Sequence, residues 1–152
     1  MHNINVHPVS LGIFLERLQS YPSLPSSHVS HLGTLYHLSN TPNVEIRYRF
    51  YALALLEPSS DAAKHFVAEA IKWVVGDDGT GIIKGRMKIC RPILRATFVV
   101  DKEATVETYK RHRSAFHPIA QKTLDKVRTY NIFREGPSEL DGLILDWFRI
   151  WG

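Results

Sequence analysis

Residues 57–76 read EPSSDAAKHFVAEAIKWVVG and carry the clearest helical signature in the chain. Glu57-Pro58-Ser59-Ser60 ends one helix and caps the next. Phe66, Val67, Ala70, Ile71 and Val74 then fall on one face at helical spacing. Gly76-Asp77-Asp78-Gly79-Thr80-Gly81 follows, with three glycines in six positions, and reads as a flexible connection.

The same grammar extends toward the N-terminus. Asn43 is a good N-cap for a helix reaching Leu56, with Ile46, Phe50, Leu53 and Leu56 as its apolar stripe. Thr41-Pro42 breaks the chain before it. An earlier helix starts at Ser26 or Ser27 and turns Val29, Leu32 and Tyr36 inward. The first helix carries Leu11, Phe14, Leu15 and Leu18 at i, i+3, i+4 and i+7, with Ser10 as its expected cap and Tyr21-Pro22 and Pro25 at its end.

Toward the C-terminus, Pro92 suits the first turn of a helix, where a missing N–H costs nothing. Two longer helices are expected around Lys102 to Phe116 and Ile119 to Tyr130. Ser138 with Asp141 forms a capping box before the stripe Leu140, Ile144, Trp147, Phe148 and Trp151. Ile82-Ile83 and Phe98-Val99-Val100 are β-prone but short. The reading is therefore all-α, with short loops that favour antiparallel helix pairs stacked as a superhelix or bundle.

Composition agrees with a single domain over residues 1–152. The chain is 44% hydrophobic, 22% charged and 11% aromatic, with no low-complexity tract. One cysteine, Cys90, excludes an internal disulfide. The N-terminus lacks a signal-peptide pattern, and no apolar run approaches the roughly 20 residues of a spanning helix. Cytoplasm or nucleus is the expected location, with no membrane partner. A net charge of +4 falls short of a nucleic-acid signature, so nucleic acid is an improbable partner.

The familiar catalytic motifs, from zinc helices to Walker loops and nucleophile elbows, do not occur. His28 with His31, and His65 with Glu69, have spacings that can share a metal, but neither pair has a recognisable third ligand. Both read as surface or core-edge side chains, and no metal or cofactor is expected in this chain. Cys90, between Ile89 and the Arg91-Pro92 pair, reads as a buried, inert thiol. Lys84, Arg86, Lys88, Arg91 and Arg95 cluster after the glycine loop. Were residues 85–89 extended, Arg86 and Lys88 would project to one side and could anchor a carboxylate or phosphate. On spacing alone, a solvated basic face is the commoner outcome.

Gly85-Arg86-Met87-Lys88-Ile89-Cys90-Arg91-Pro92 resembles the G-R-M-K-F-x-R-P motif in the C-terminal helical domain of leukotriene A(4) hydrolase and its zinc aminopeptidase relatives. Asn43-Val44-Glu45-Ile46-Arg47-Tyr48-Arg49 is similar to that family's N-x-E-I-R-F-R segment. Tyr109 through His117-Pro118 is similar to its Y-x-x-H-x-x-x-x-H-P stretch, with His112 and His117 in register. The resemblance covers roughly residues 7–125, leaving 126–152 as an extra helical extension.

The resemblance implies an armadillo-like α-α superhelix that closes one side of a cleft, the zinc lying in a separate catalytic domain. By residue-for-residue match, Arg86 and Lys88 would recognise the free carboxylate of a peptide or fatty-acid-derived substrate. This chain contains no such catalytic domain, so it is expected to be non-catalytic alone. A zinc aminopeptidase body or another protein is its expected partner. The alternative is a stand-alone interaction scaffold, with Trp147, Phe148 and Trp151 as partner-binding candidates.

Overall fold

Caps and apolar stripes set most of the helix boundaries in the computed structural model, which describes the backbone of residues 7–133 and the side chains of residues 7–125. Asn43 Oδ1 accepts from the N–H groups of Glu45 and Ile46 at 3.1 and 3.3 Å, starting the helix Val44–Ala54. Ser60 Oγ accepts from Ala63 N–H at 3.1 Å and starts Asp61–Val75. Gly76, in the left-handed region at φ 78°, closes that helix, a conformation that side chains disfavour and glycine adopts freely.

In chain order the helices are α1 (Pro8–Leu18), α2 (Ser26–Leu35), α3 (Val44–Ala54), α4 (Asp61–Val75), α5 (Met87–Val100), α6 (Lys102–His112) and α7 (Pro118–Phe133), with a 3-10 turn at Arg113–Ala115 before α7. All regular structure among the described residues is helical, as expected. Consecutive helices from α2 to α6 touch, and each of the first five helices also packs on its next-but-one neighbour: α1 on α3, α2 on α4, α3 on α5, α4 on α6 and α5 on α7.

The core runs through α3, α4 and α5. Phe66, Val67, Ala70, Ile71 and Val74 are all buried, as their spacing predicts. Trp73, Tyr51 and Phe50 are the largest fully buried side chains. Phe50 meets Phe66 edge-on at 5.0 Å, and Tyr51 lies 5.3 Å from Trp73. Burying a side chain of this size contributes about 1.5–3 kcal/mol, so this stack dominates the core. Gly33 lets α2 approach it, since a Cβ there would stand 2.9 Å from Phe50 Cζ.

Four expectations need correction. The cap of α1 is His7 rather than Ser10: its Nδ1 accepts from Val9 N–H, and Pro8 occupies the first helical position. Phe14, placed inward by its spacing, is 43% exposed, while Leu15 is fully buried. Leu56 is likewise exposed, because α3 ends at Ala54 and the chain turns before Leu56 can face the core. Finally, α5 begins at Met87, so Pro92 lies inside it rather than in its first turn. A helix here buries Ile89, Cys90, Ile93, Leu94, Thr97 and Phe98, which outweighs the one N–H that Pro92 cannot donate. Phe98-Val99-Val100 is the last turn of that helix, and Ile82-Ile83 forms no strand.

The Ser138/Asp141 cap and the stripe bearing Trp147, Phe148 and Trp151 lie outside the described residues. No described helix is long and apolar enough to cross a membrane.

Candidate functional site

The N-termini of α3 and α5 converge on one open groove of about 340 Å³. Asn43, Val44 and Glu45 line it from α3, and Ile83, Lys84, Gly85, Arg86 and Ile89 from the opposite side. Helix N-termini carry partial positive charge, which favours an anion; at α3 the N–H groups of Glu45 and Ile46 are already taken up by Asn43 Oδ1. No side chain caps α5, which leaves its first-turn N–H groups without a side-chain acceptor.

Arg86 is the N-cap of α5, with extended backbone at φ −63° and ψ 122°, and it lines the groove. Its exposed guanidinium has no hydrogen bond or ion pair to any described residue. Lys88 belongs to the first helical turn and does not line the groove. Residues 87–89 are helical, so the condition of an extended run over 85–89 is not met, and period-two alternation does not bring Arg86 and Lys88 together. Lys88 is instead tied to the groove lining through Glu45, whose Oε1 accepts from Lys88 Nζ at 3.1 Å. Arg86 and Lys88 are both exposed.

Glu45 is the residue that sequence reading missed. Its Oε2 pairs with Arg49 at 2.9 Å, and Arg49 reaches Glu16 of α1 at 3.5 Å. Partial burial raises the Glu45 pKa, but the hydrogen bonds and charges of Lys88 and Arg49 outweigh it and hold the carboxyl below its ordinary value. The i, i+4 spacing of Glu45 and Arg49 was visible in the sequence; the Lys88 contact spans two helices and was not.

The glycine loop is tied to the core through Asp78. Arg47 Nη1 donates to Asp78 Oδ2 at 3.3 Å, with side chains only 12% and 7% exposed. Arg47 Nε and Nη2 donate to Tyr51 Oη, which donates to Glu69 Oε1 at 2.7 Å. The Arg47 guanidinium also lies 5.5 Å from the Trp73 ring. Asp78 is capped by the Thr80 N–H and hydroxyl, and Lys84 N–H donates to Val74 O at 2.9 Å. These contacts fix the segment leading into Arg86.

The basic cluster is divided. Lys84 turns inward, its Nζ donating to Ile82 O at 2.6 Å and lying 5.8 Å from the Trp73 ring. Burial, together with Arg47, lowers its pKa against the opposing pull of Asp78. Arg91 and Arg95 are half-buried, and burial lowers the Arg95 pKa, with Arg91 adding to the effect. No single basic face results.

The remaining candidates have structural surroundings. Cys90 is fully buried, and burial pushes its thiol up to about 11. His28 and His31 are exposed. His65 packs edge-on against Phe66 at 4.7 Å, while Glu69 accepts from Tyr51. His112 Nδ1 lies 2.9 Å from Thr108 O, and His117 Nδ1 accepts from Ile119 N–H at the start of α7. Among the described residues, no three His, Cys, Asp or Glu side chains gather as a metal ion requires.

Comparison with known proteins follows the same boundaries. Residues 7–127 match the family described as leukotriene A4 hydrolase, C-terminal. The chain is 30% identical over 115 residues to leucine aminopeptidase 2 of Pyricularia oryzae, covering 75% of this chain and 17% of the relative. It is 31% identical over 105 residues to leukotriene A-4 hydrolase of Xenopus laevis, covering 68% of this chain and 15% of the relative. The leukotriene A-4 hydrolase homolog of Botryotinia fuckeliana is 29% identical over 115 residues, 75% of this chain and 16% of the relative. The chain thus spans about one-sixth of the length of these curated relatives.

Proposed function

This chain belongs to the leukotriene A4 hydrolase C-terminal family, and from that premise we propose that it is a carboxylate-anchoring helical domain, not catalytic alone. The observation that carries the reading is Arg86, an exposed guanidinium with no partner among the described residues, in a groove between two helix N-termini. Its planar fork can take a ligand carboxylate bidentately, and Lys88 adds a second cation. The ligand is the free carboxylate of a peptide or of a fatty-acid-derived molecule. Holding that end positions the rest of the ligand for chemistry performed elsewhere.

The chemistry itself belongs to a zinc-bearing catalytic domain supplied outside this domain. The next-but-one packing of α1 through α7 supports an α-α superhelix as the frame. On α1, Val9, Ile13 and Phe14 are 63%, 57% and 43% exposed at helical spacing, and they supply a face on which the catalytic body rests. The reading places the domain with a soluble partner in the cytoplasm or nucleus.

The test is the double variant Arg86→Ala/Lys88→Ala. Its thermal transition stays within about 0.5 kcal/mol of the parent, as for exposed surface positions. Its affinity for a short peptide with a free C-terminus falls roughly three- to tenfold, in line with losing exposed charged contacts. An unfolded variant, or unchanged peptide affinity, would sink the anchor.

A further inference from the structure

A carboxylate already sits on one of the two proposed anchor cations. Glu45 lines the same groove as Arg86, and its Oε1 holds Lys88 Nζ at 3.1 Å. We infer that Glu45 is an internal stand-in for the ligand carboxylate, a specificity-determining residue that a ligand must displace from Lys88. The inference rests on the anchor reading of Arg86 and Lys88.

The geometry makes the exchange feasible. Glu45 uses its two oxygens on different cations, Oε1 on Lys88 and Oε2 on Arg49. Releasing Lys88 leaves the 2.9 Å Arg49 contact intact, so Glu45 does not become an unpaired charge. Glu45 is also in the first turn of α3, where the helix end favours its negative charge whether or not Lys88 stays. Lys88 is 62% exposed and on a flexible four-carbon stem, free to turn toward a ligand. Arg86 needs no such release. The anchor therefore has one cation standing ready and one held in reserve.

The stand-in imposes a selection. A neutral ligand end, such as an amide, offers Lys88 nothing to compensate for leaving Glu45, whereas a carboxylate replaces like with like. Glu45 also repels any anion in the groove until Lys88 is shared between them, so removing its charge strengthens anion binding.

The experiment uses the full chain, its Glu45→Gln variant, trialanine and trialanine amide, followed by NMR titration of backbone amides. The expected result is that Glu45→Gln binds trialanine about two- to fivefold more tightly while affinity for the amide is unchanged. If the parent prefers the acid over the amide but Glu45→Gln binds the acid equally or more weakly, the stand-in is overturned and the anchor survives. If neither protein distinguishes acid from amide, the anchor itself falls, and the stand-in with it. A second reading needs no variant. In the parent chain, saturating trialanine at constant ionic strength raises the Glu45 carboxyl pKa toward its ordinary value, and an unmoved pKa contradicts displacement.

Discussion

Replacing Asp78 with alanine isolates the contact that turns the glycine loop into a fixed platform for the groove. The pair Arg47–Asp78 is nearly shielded from solvent, at 12% and 7% exposure. Removing one member of a buried pair costs about 3–5 kcal/mol, because the other charge stays behind without compensation. Here Arg47 keeps two hydrogen bonds to Tyr51 Oη and its position over Trp73, so part of that penalty is avoided. The expected loss is about 2–3 kcal/mol, or roughly 5–10 °C in Tm for a domain of this size. Urea denaturation at pH 7, followed by circular dichroism, reads it directly.

The pH dependence adds a second constraint. Burial raises the Asp78 pKa, but hydrogen bonds from Thr80 and the charges of Lys84 and Arg47 outweigh burial and hold it below its ordinary value of 3.8. A carboxyl depressed by folding contributes stability above its unfolded pKa and loses it as pH falls through the folded value. The gap between the parent and Asp78→Ala therefore persists from neutral pH down to about 4 and closes only below that. A loss under 0.5 kcal/mol at pH 7, or a gap already closed at pH 5, would refute the reasoning.

Other outcomes follow from particular contacts. Gly33→Ala places a Cβ 2.9 Å from Phe50 Cζ, so either α2 or the buried Phe50 ring must shift; the expected cost is about 1–3 kcal/mol by thermal denaturation. Gly76→Ala forces a side chain into φ 78° with its Cβ 2.9 Å from the Ile82 carbonyl carbon, and at least about 1–2 kcal/mol should be lost. Cys90, buried and pushed up to about 11, should resist a thiol-reactive dye at pH 7.5 in the folded chain and react promptly in denaturant.

Local signals were legible where the physics is local. Asn43 and Ser60 cap the helices they were assigned, and the stripe from Phe66 to Val74 faces the core, because caps and periodicity act within a turn or two. Pro92 misled because a proline favours a helix start, yet burial of Ile89 and Cys90 carried the helix back to Met87. The spacing of Met87, Cys90 and Leu94 held that signal. Arg86 and Lys88 became candidates through their spacing and a motif resemblance, and the extended backbone that would have paired them by alternation is a helix start instead. Contacts joining residues distant in sequence were not legible: Arg47 with Asp78 lies 31 positions away, and Glu45 meets Lys88 across two helices. Two aspartates in a glycine loop look like a solvated turn until a buried arginine is known to face one of them.

If Arg86 marks a carboxylate anchor in the groove between α3 and α5, an added carboxylate must report there. The most direct measurement is amide chemical-shift mapping of the unaltered chain with trialanine and with its amide at low salt. The acid is expected to perturb Glu45, Gly85, Arg86 and Met87 selectively, and the amide to do so several-fold more weakly. Equal perturbation by both, or shifts that avoid the start of α5, would contradict the anchor.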